Sequence, residues 1–288
     1  MPNSPRPIDQ SDIEEFILSY SDFAFEIQVK QALSGIGIIP LHGGTYEDPT
    51  TQKTREYDFR FTYCRDNICL HAAVECKNIS EFSPVLVSCL PRSEIESNLR
   101  IFICATKKYI TSKVTNQVHG LLGKFHPFDI ANPSRYRIDE FCGKSVNQVI
   151  RKGDSFLGKD SEIFDKWSQS ISSLIAYSQE HRQIKSFESE YELHIFMPFV
   201  VIPDERLWII AYDNCGDIKI PVRQVNNVSV FMDKKHKSTS SYDLPSLKLS
   251  HIEFMTVSGF KSFARSLVDE NNYLNELCPK QLIDEHFQ

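Results

Sequence analysis

The segment REYDFRFTYCRDNICLHAAVECKNI, residues 55–79, decides how the chain is read. Aromatic side chains stand at each odd position from 57 to 63 (Tyr57, Phe59, Phe61, Tyr63), with Asp58, Arg60 and Thr62 between them. A period of two marks a strand with one apolar and one polar face. The run 68–77 alternates in the same way: Leu70, Ala72, Val74 and Cys76 fall on one face, and His71, Ala73, Glu75 and Lys77 on the other. With Arg65-Asp66-Asn67 as the turn, the two runs make a half-buried hairpin. Asp58 then falls opposite Val74, or opposite Glu75 if one strand bulges by a residue. Either register brings two carboxylates close together.

Carboxylates side by side on a sheet repel each other unless a cation compensates. Mg²⁺ suits such a place, because it takes a few hard oxygen ligands and keeps several waters. Asp58, Glu75 and the backbone carbonyl of Cys76 make a fitting ligand set, and Mn²⁺ is a fitting substitute. Lys77, two residues from Glu75 on the same face, is expected near a metal-bound water, where it can orient that water or offset charge on a phosphate in transfer. A Glu-x-Lys pair on a strand is ordinarily a surface ion pair. Here it closes a buried-looking strand, faces an acidic residue across the hairpin and follows a helix carrying Glu26. The pattern suits metal-assisted hydrolysis of a phosphodiester.

Upstream, residues 11–33 carry apolar side chains near helical spacing, which predicts one or two helices ending at Ser34-Gly35, with Ser11 or Asp12 as N-cap. GIGIIPLHG (35–43) reads as a strand and GGTYEDPTTQKT (43–54) as a loop. Downstream, 84–90 and 99–105 read as buried strands, 107–158 as irregular, and 160–181 as a helix through Ile163, Trp167, Ile171, Leu174 and Ile175. HIFMPFVVIP (194–203) and RLWIIAYD (206–213), joined by Asp204-Glu205, read as a second hairpin. QVNNVSVFM (224–232) reads as a strand, HKSTSSYDLPS (236–246) as a loop and 257–274 as a closing helix. This order predicts an α/β or α+β domain with a central mixed sheet flanked by helices.

The 288 residues, 41% of them hydrophobic, suffice for a substantial core. The eight cysteines include no CxxC pair and no zinc-finger spacing, so a reduced, cytoplasmic chain without zinc or a disulfide framework is expected. No basic-then-apolar leader opens the sequence, and no stretch reaches the roughly 18 apolar residues of a membrane span. A net charge of −6 argues against unspecific polyanion binding, although short basic clusters occur at Lys107-Lys108, Arg151-Lys152 and Lys234-Lys235-His236-Lys237. His42-Gly43-Gly44 lacks a phosphate-loop motif, and His119 and His126 read as surface histidines. Trp208 and Tyr212 read as core and edge residues.

The helix with Glu26, the strand GIGIIPLHG, the segment YEDPTTQKTREYDFRF and the motif AAVECKNI together resemble the PD-(D/E)XK, or restriction-endonuclease-like, nuclease superfamily. The resemblance is best defined over residues 20–80 and extends, by order of elements, to the helix 160–181 and the strand HIFMPFVVIP. It implies one nuclease-like domain over 1–288, with a core of about 11–80 and 159–215, an insertion at 81–158, and C-terminal strands and a helix at 216–288. It implies Asp58 and Glu75 as metal ligands, Lys77 as the catalytic lysine and Glu26 as a helix carboxylate added to the metal shell. Glu56 competes with Asp58 on the same face, and Gln169 is a candidate substrate contact, with Ser173 where some members carry a tyrosine. No proline precedes Asp58, a departure that lowers the specificity of the motif. The implied activity is Mg²⁺-dependent endonucleolytic cleavage of DNA in defence or DNA processing, with RNA as a variant substrate. Cutting both strands of a duplex calls for two active sites, which points to a homodimer. The alternative is a nuclease fold without catalysis, serving as a nucleic-acid-binding or assembly subunit.

Overall fold

The computed structural model describes residues 6–19, 21–105, 125–159, 161–180, 191–236, 247–269 and 273–279. Helices α1 (Gln10–Ser19) and α2 (Asp22–Ser34) come first. Ser11 and Asp12 lie inside α1 instead of capping it, because Asp9 Oδ1 already accepts from the Asp12 amide at 3.1 Å. Ser21 caps α2, which buries Phe25, Val29 and Leu33 and ends at Gly35. The strand expected at 35–43 starts later, as β1 (Leu41–Glu47). The chain first folds back on the helix end, where the Ile38 amide donates to Leu33 O and the Ile38 side chain is buried. The loop that follows is correspondingly shorter: Asp48 accepts from the amides of Thr50 and Thr51 and pairs its own N–H with Lys53 O.

The hairpin forms as β2 (Thr54–Arg65) and β3 (Ile68–Cys76). Arg65 pairs with Ile68, so only Asp66-Asn67 make the turn, with Asp66 in the left-handed region at φ 54°. This register needs no bulge. Phe59 pairs with Val74, and one step further Asp58 comes to Glu75. The same pairing sets Cys64 opposite Cys69 with Cα atoms 4.1 Å apart, and the two form a disulfide. The expectation of a fully reduced chain is therefore corrected at this pair, since a two-residue turn stacks the positions beside it. The other six cysteines are free.

Next come β4 (Val85–Pro91) and β5 (Asn98–Ala105), close to where they were expected. The stretch 107–158 is not irregular where it is described: it contains β6 (Phe125–Ala131), β7 (Phe141–Lys152) and β8 (Ser155–Lys159). Polar residues such as Lys144, Ser145 and Asn147 mask the strand character of β7, although it pairs with β4 through most of its length. Lys107, Lys108 and His119 lie outside the described residues. After α3 (Ser161–Glu180) come β9 (Tyr191–Ile202), β10 (Leu207–Tyr212), β11 (Ile218–Gln224), β12 (Asn227–His236) and β13 (Leu247–Thr256). Residues 237–246 of the expected loop fall outside the description. The closing helix divides into α4 (Val257–Val268) and α5 (Tyr273–Leu277).

The strands join one 13-stranded mixed sheet whose main order is β1-β2-β3-β9-β13-β12-β7-β4-β10-β11. β9 and β10 do not form the expected hairpin. β9 runs parallel to β3 and β13, and β10 runs parallel to β4. Their continuous apolar runs belong to strands covered on both faces, as in parallel sheets, and not to a one-sided hairpin. One core packs β2, β3 and β9 under α2, α4 and α5, and a second lies between the opposite face and α3.

The half-buried reading holds for β2 and is corrected for β3, which packs under α3. Every residue of β3 is buried, so His71 and Glu75 on its polar side are interior, as is Arg60 of β2, while Glu56 and Thr62 stay exposed. Arg60, 2% exposed, donates to the Ser173 hydroxyl and carbonyl, pairs with Glu180 at 2.9 Å and lies against the rings of Tyr46, Tyr57 and Tyr177. Among the described residues no helix is long and apolar enough to cross a membrane.

Candidate functional site

The ladder between β2 and β3 ends at Phe59 and Val74, and the side chain of Asp58 takes over from it. Its Oδ2 accepts from the Cys76 amide at 2.6 Å, which ties the carboxylate to the end of β3. Glu75 lies beside it on the face covered by α3, 1% exposed. From α3, Lys166 reaches both, its Nζ 3.1 Å from Asp58 Oδ2 and 3.4 Å from Glu75 Oε2. Glu75 Oε1 is buried and has no hydrogen-bond partner among the described residues.

The electrostatics follow from this crowding. Burial, and then the charge of Asp58, push the Glu75 carboxyl well above the usual range, with Lys166 opposing them. Burial works against the Lys166 ammonium, but Asp58 and Glu75 outweigh it and hold the lysine more firmly protonated than usual. Glu26 on α2 is also raised, by burial and then by Asp58, while its 3.2 Å contact with His42 Nε2 partly offsets both. His42, on β1, stacks on Phe59 at 4.9 Å and belongs to this site as the partner of Glu26, not as part of a phosphate loop.

Lys77 is placed differently. Its Nζ stands 3.3 Å from Asp22 Oδ2 at the start of α2, and the neighbouring Asn78 amide donates to Asp22 Oδ1 at 2.7 Å. A cavity of about 530 Å³ opens beside Asp58, lined by Asp22, Glu26, Glu56, Asp58, Lys166 and Gln169 among others, while Glu75 lies buried behind it. The structure thus gathers Glu26, Asp58, Glu75 and Gln169, puts Glu56 at the same wall and brings Lys77 to the edge through Asp22. Ser173 is absorbed by Arg60 and takes no part.

Lys166 was missed by the sequence reading. Its signal was present in α3: Lys166, Ser170 and Ser173 form a polar stripe on a helix that otherwise presents apolar residues to the sheet. Ser170 and Ser173 are both fully buried, and Ser170 donates to Ala73 O at 3.1 Å.

Among the described residues no three His, Cys, Asp or Glu side chains converge closely enough to cage a metal ion. The donors do fit an ion that takes one or two carboxylates and fills its remaining positions with water and substrate oxygen. Asp58 and Glu75 supply that pair, and the unsatisfied Glu75 Oε1 is an acceptor awaiting a cation or donor. Compared with protein-family models, with curated proteins and with solved structures, the chain matches none.

Proposed function

We propose that the protein is a metal-dependent phosphodiester hydrolase of the restriction-endonuclease-like type, acting on DNA in defence or DNA processing. The observation that carries this reading is the pair Asp58 and Glu75, held side by side with Lys166 against both, Asp58 and Lys166 lining an open cavity and Glu75 buried behind them. The order of elements supports it: α2, then β1 to β3, then α3 and β9, with β9 parallel to β3 in the sheet order β1-β2-β3-β9.

Asp58 and Glu75 would hold Mg²⁺, with the Cys76 carbonyl as a further oxygen and Glu26 lining the cavity beside them. The chemistry Mg²⁺ supplies when bound is polarisation of a phosphate oxygen and a water acidic enough to attack near neutral pH. Lys166, kept protonated by its two carboxylates, offers a positive charge to the oxygens that gain charge during displacement. Lys77, tethered by Asp22, offers a second at the edge of the cavity. Gln169, one turn from Lys166, positions the substrate. The test is incubation of supercoiled plasmid, linear duplex, single-stranded DNA and RNA with Mg²⁺, Mn²⁺ or EDTA, using the native chain and Lys166→Met. Metal-dependent cutting of DNA that Lys166→Met loses while staying folded is the expected result.

A second reading, a nuclease-like fold that binds nucleic acid without cutting it, draws on Lys166 already neutralising the two carboxylates. It requires that Mg²⁺ neither bind nor stabilise the chain, which calorimetry decides.

A further inference from the structure

A second cavity, of about 570 Å³, lies beside α5 and shares no lining residue with the Asp58 cavity. Its wall holds Arg92, Arg135, Arg137 and Arg223, against which stand the lining carboxylates Glu140 and Glu276. In a chain of net charge −6 this convergence of guanidinium groups needs a reason.

The two inner arginines are built into the fold. Arg92, 3% exposed, donates to Glu96 O at 3.1 Å and to His251 Nε2 at 2.5 Å. His251 stacks face to face on Tyr136 at 4.0 Å and accepts that bond as a neutral imidazole. Arg135 pairs with the fully buried Glu253, which also accepts from Tyr136 at 2.9 Å and from Ser229 at 2.8 Å. Even so, Arg92 Nε, Arg135 Nε and the Ser134 hydroxyl have no hydrogen-bond partner among the described residues. Buried donors without acceptors are costly and are few in folded proteins. The outer two, Arg137 and Arg223, are exposed, and no ion pair engages either among the described residues.

We propose that this cavity binds a small phosphate-bearing anion of nucleotide size. Guanidinium groups present planar paired donors that match phosphate oxygens, and Arg92 and Arg135 are held in place by their partners within the fold. The volume falls within the range of small-ligand sites, and Phe141, Ile220 and Val225 give the organic body an apolar wall. The four arginines line one cavity of small-ligand size, and a discrete anion fits that better than a continuous strand.

The test is isothermal titration of the full chain with AMP, ATP, inorganic phosphate and a 5′-phosphorylated oligonucleotide at low salt. Saturable one-site binding of AMP or ATP is expected. Arg137→Ala with Arg223→Ala, both at exposed positions, should weaken it by about tenfold or more, the scale of a lost charge-assisted hydrogen bond. Asp58→Asn should leave it unchanged. Absence of saturation, indifference to the double substitution, loss in Asp58→Asn, or preference for the oligonucleotide over the free nucleotides each overturns the proposal.

Discussion

Lys166 Nζ stands 3.1 Å from Asp58 Oδ2 across 108 residues of chain, and this contact defines the candidate site. A lysine from the covering helix, not the lysine of the strand motif, neutralises the carboxylate pair. Lys77 is engaged by Asp22 instead, at 3.3 Å.

The two lysines should therefore differ in effect. Lys166→Met is expected to lower cleavage by roughly 10²- to 10³-fold, the scale of one removed electrostatic stabiliser. Lys77→Ala should cost less. Single-turnover cleavage rates for both variants check the order, and equal losses would show that Asp22 does not hold Lys77 away from the reaction.

Stability without metal should fall in Lys166→Met. Removing the cation leaves Asp58 and Glu75 facing each other, one of them 1% exposed, and breaking a buried ion pair on one side costs about 3–5 kcal/mol. Mg²⁺ should restore much of this, because a ligand at 100 times its Kd stabilises by about 2.7 kcal/mol. Thermal melts in EDTA and in Mg²⁺ measure both effects. The Mg²⁺ increment should vanish in Asp58→Asn.

His251 predicts an acid limb in the stability curve. Burial, and then the neighbouring Arg92 charge, hold its imidazole down to about 3 from an ordinary value near 6.5. The unfolded chain takes up a proton below that ordinary value and the folded chain does not, so stability is complete above about pH 6.5 and declines as pH falls toward 3. One proton corresponds to a slope of about 1.4 kcal/mol per pH unit. His251→Gln keeps an acceptor for Arg92 and cannot titrate. Its denaturant-derived stability between pH 6 and 4 should lose that one-proton component relative to the native chain.

Gly259 should tolerate no side chain. A Cβ there would meet the Asn226 carbonyl oxygen at 2.0 Å, a backbone atom fixed by its bond from the Thr256 amide. Gly259→Ala is expected to destabilise by about 1–3 kcal/mol, as overpacking does. Urea melts read the loss, and an unchanged midpoint would contradict the tight seat of α4 on the β11–β12 connection.

The residues 57–63 and 70–76 announced their strands because alternation is a local property, enforced by the backbone within each run. Likewise α2 and α3 were legible from their apolar spacing, and the closeness of Asp58 and Glu75 followed from a hairpin that connects neighbours in sequence. Other features had no such local cause. β9 and β10 look like hairpin partners in sequence, yet each finds a parallel neighbour elsewhere, because burial of both faces outweighs adjacency along the chain. β7 and β13 escaped notice where polar residues or an unfamiliar boundary blurred their period.

The sequence by itself thus determined the α+β class, the main helices and the carboxylate pair, all of which rest on periodicity and short-range pairing. Tertiary structure alone decided that α3 would cover Arg60, His71 and Glu75, that Lys166 would be the cation between Asp58 and Glu75, and that Arg92, Arg135, Arg137 and Arg223 would meet around one cavity. Charges separated by long stretches of chain come together only where packing of the whole sheet leaves them a shared space, and no period along the sequence encodes that meeting.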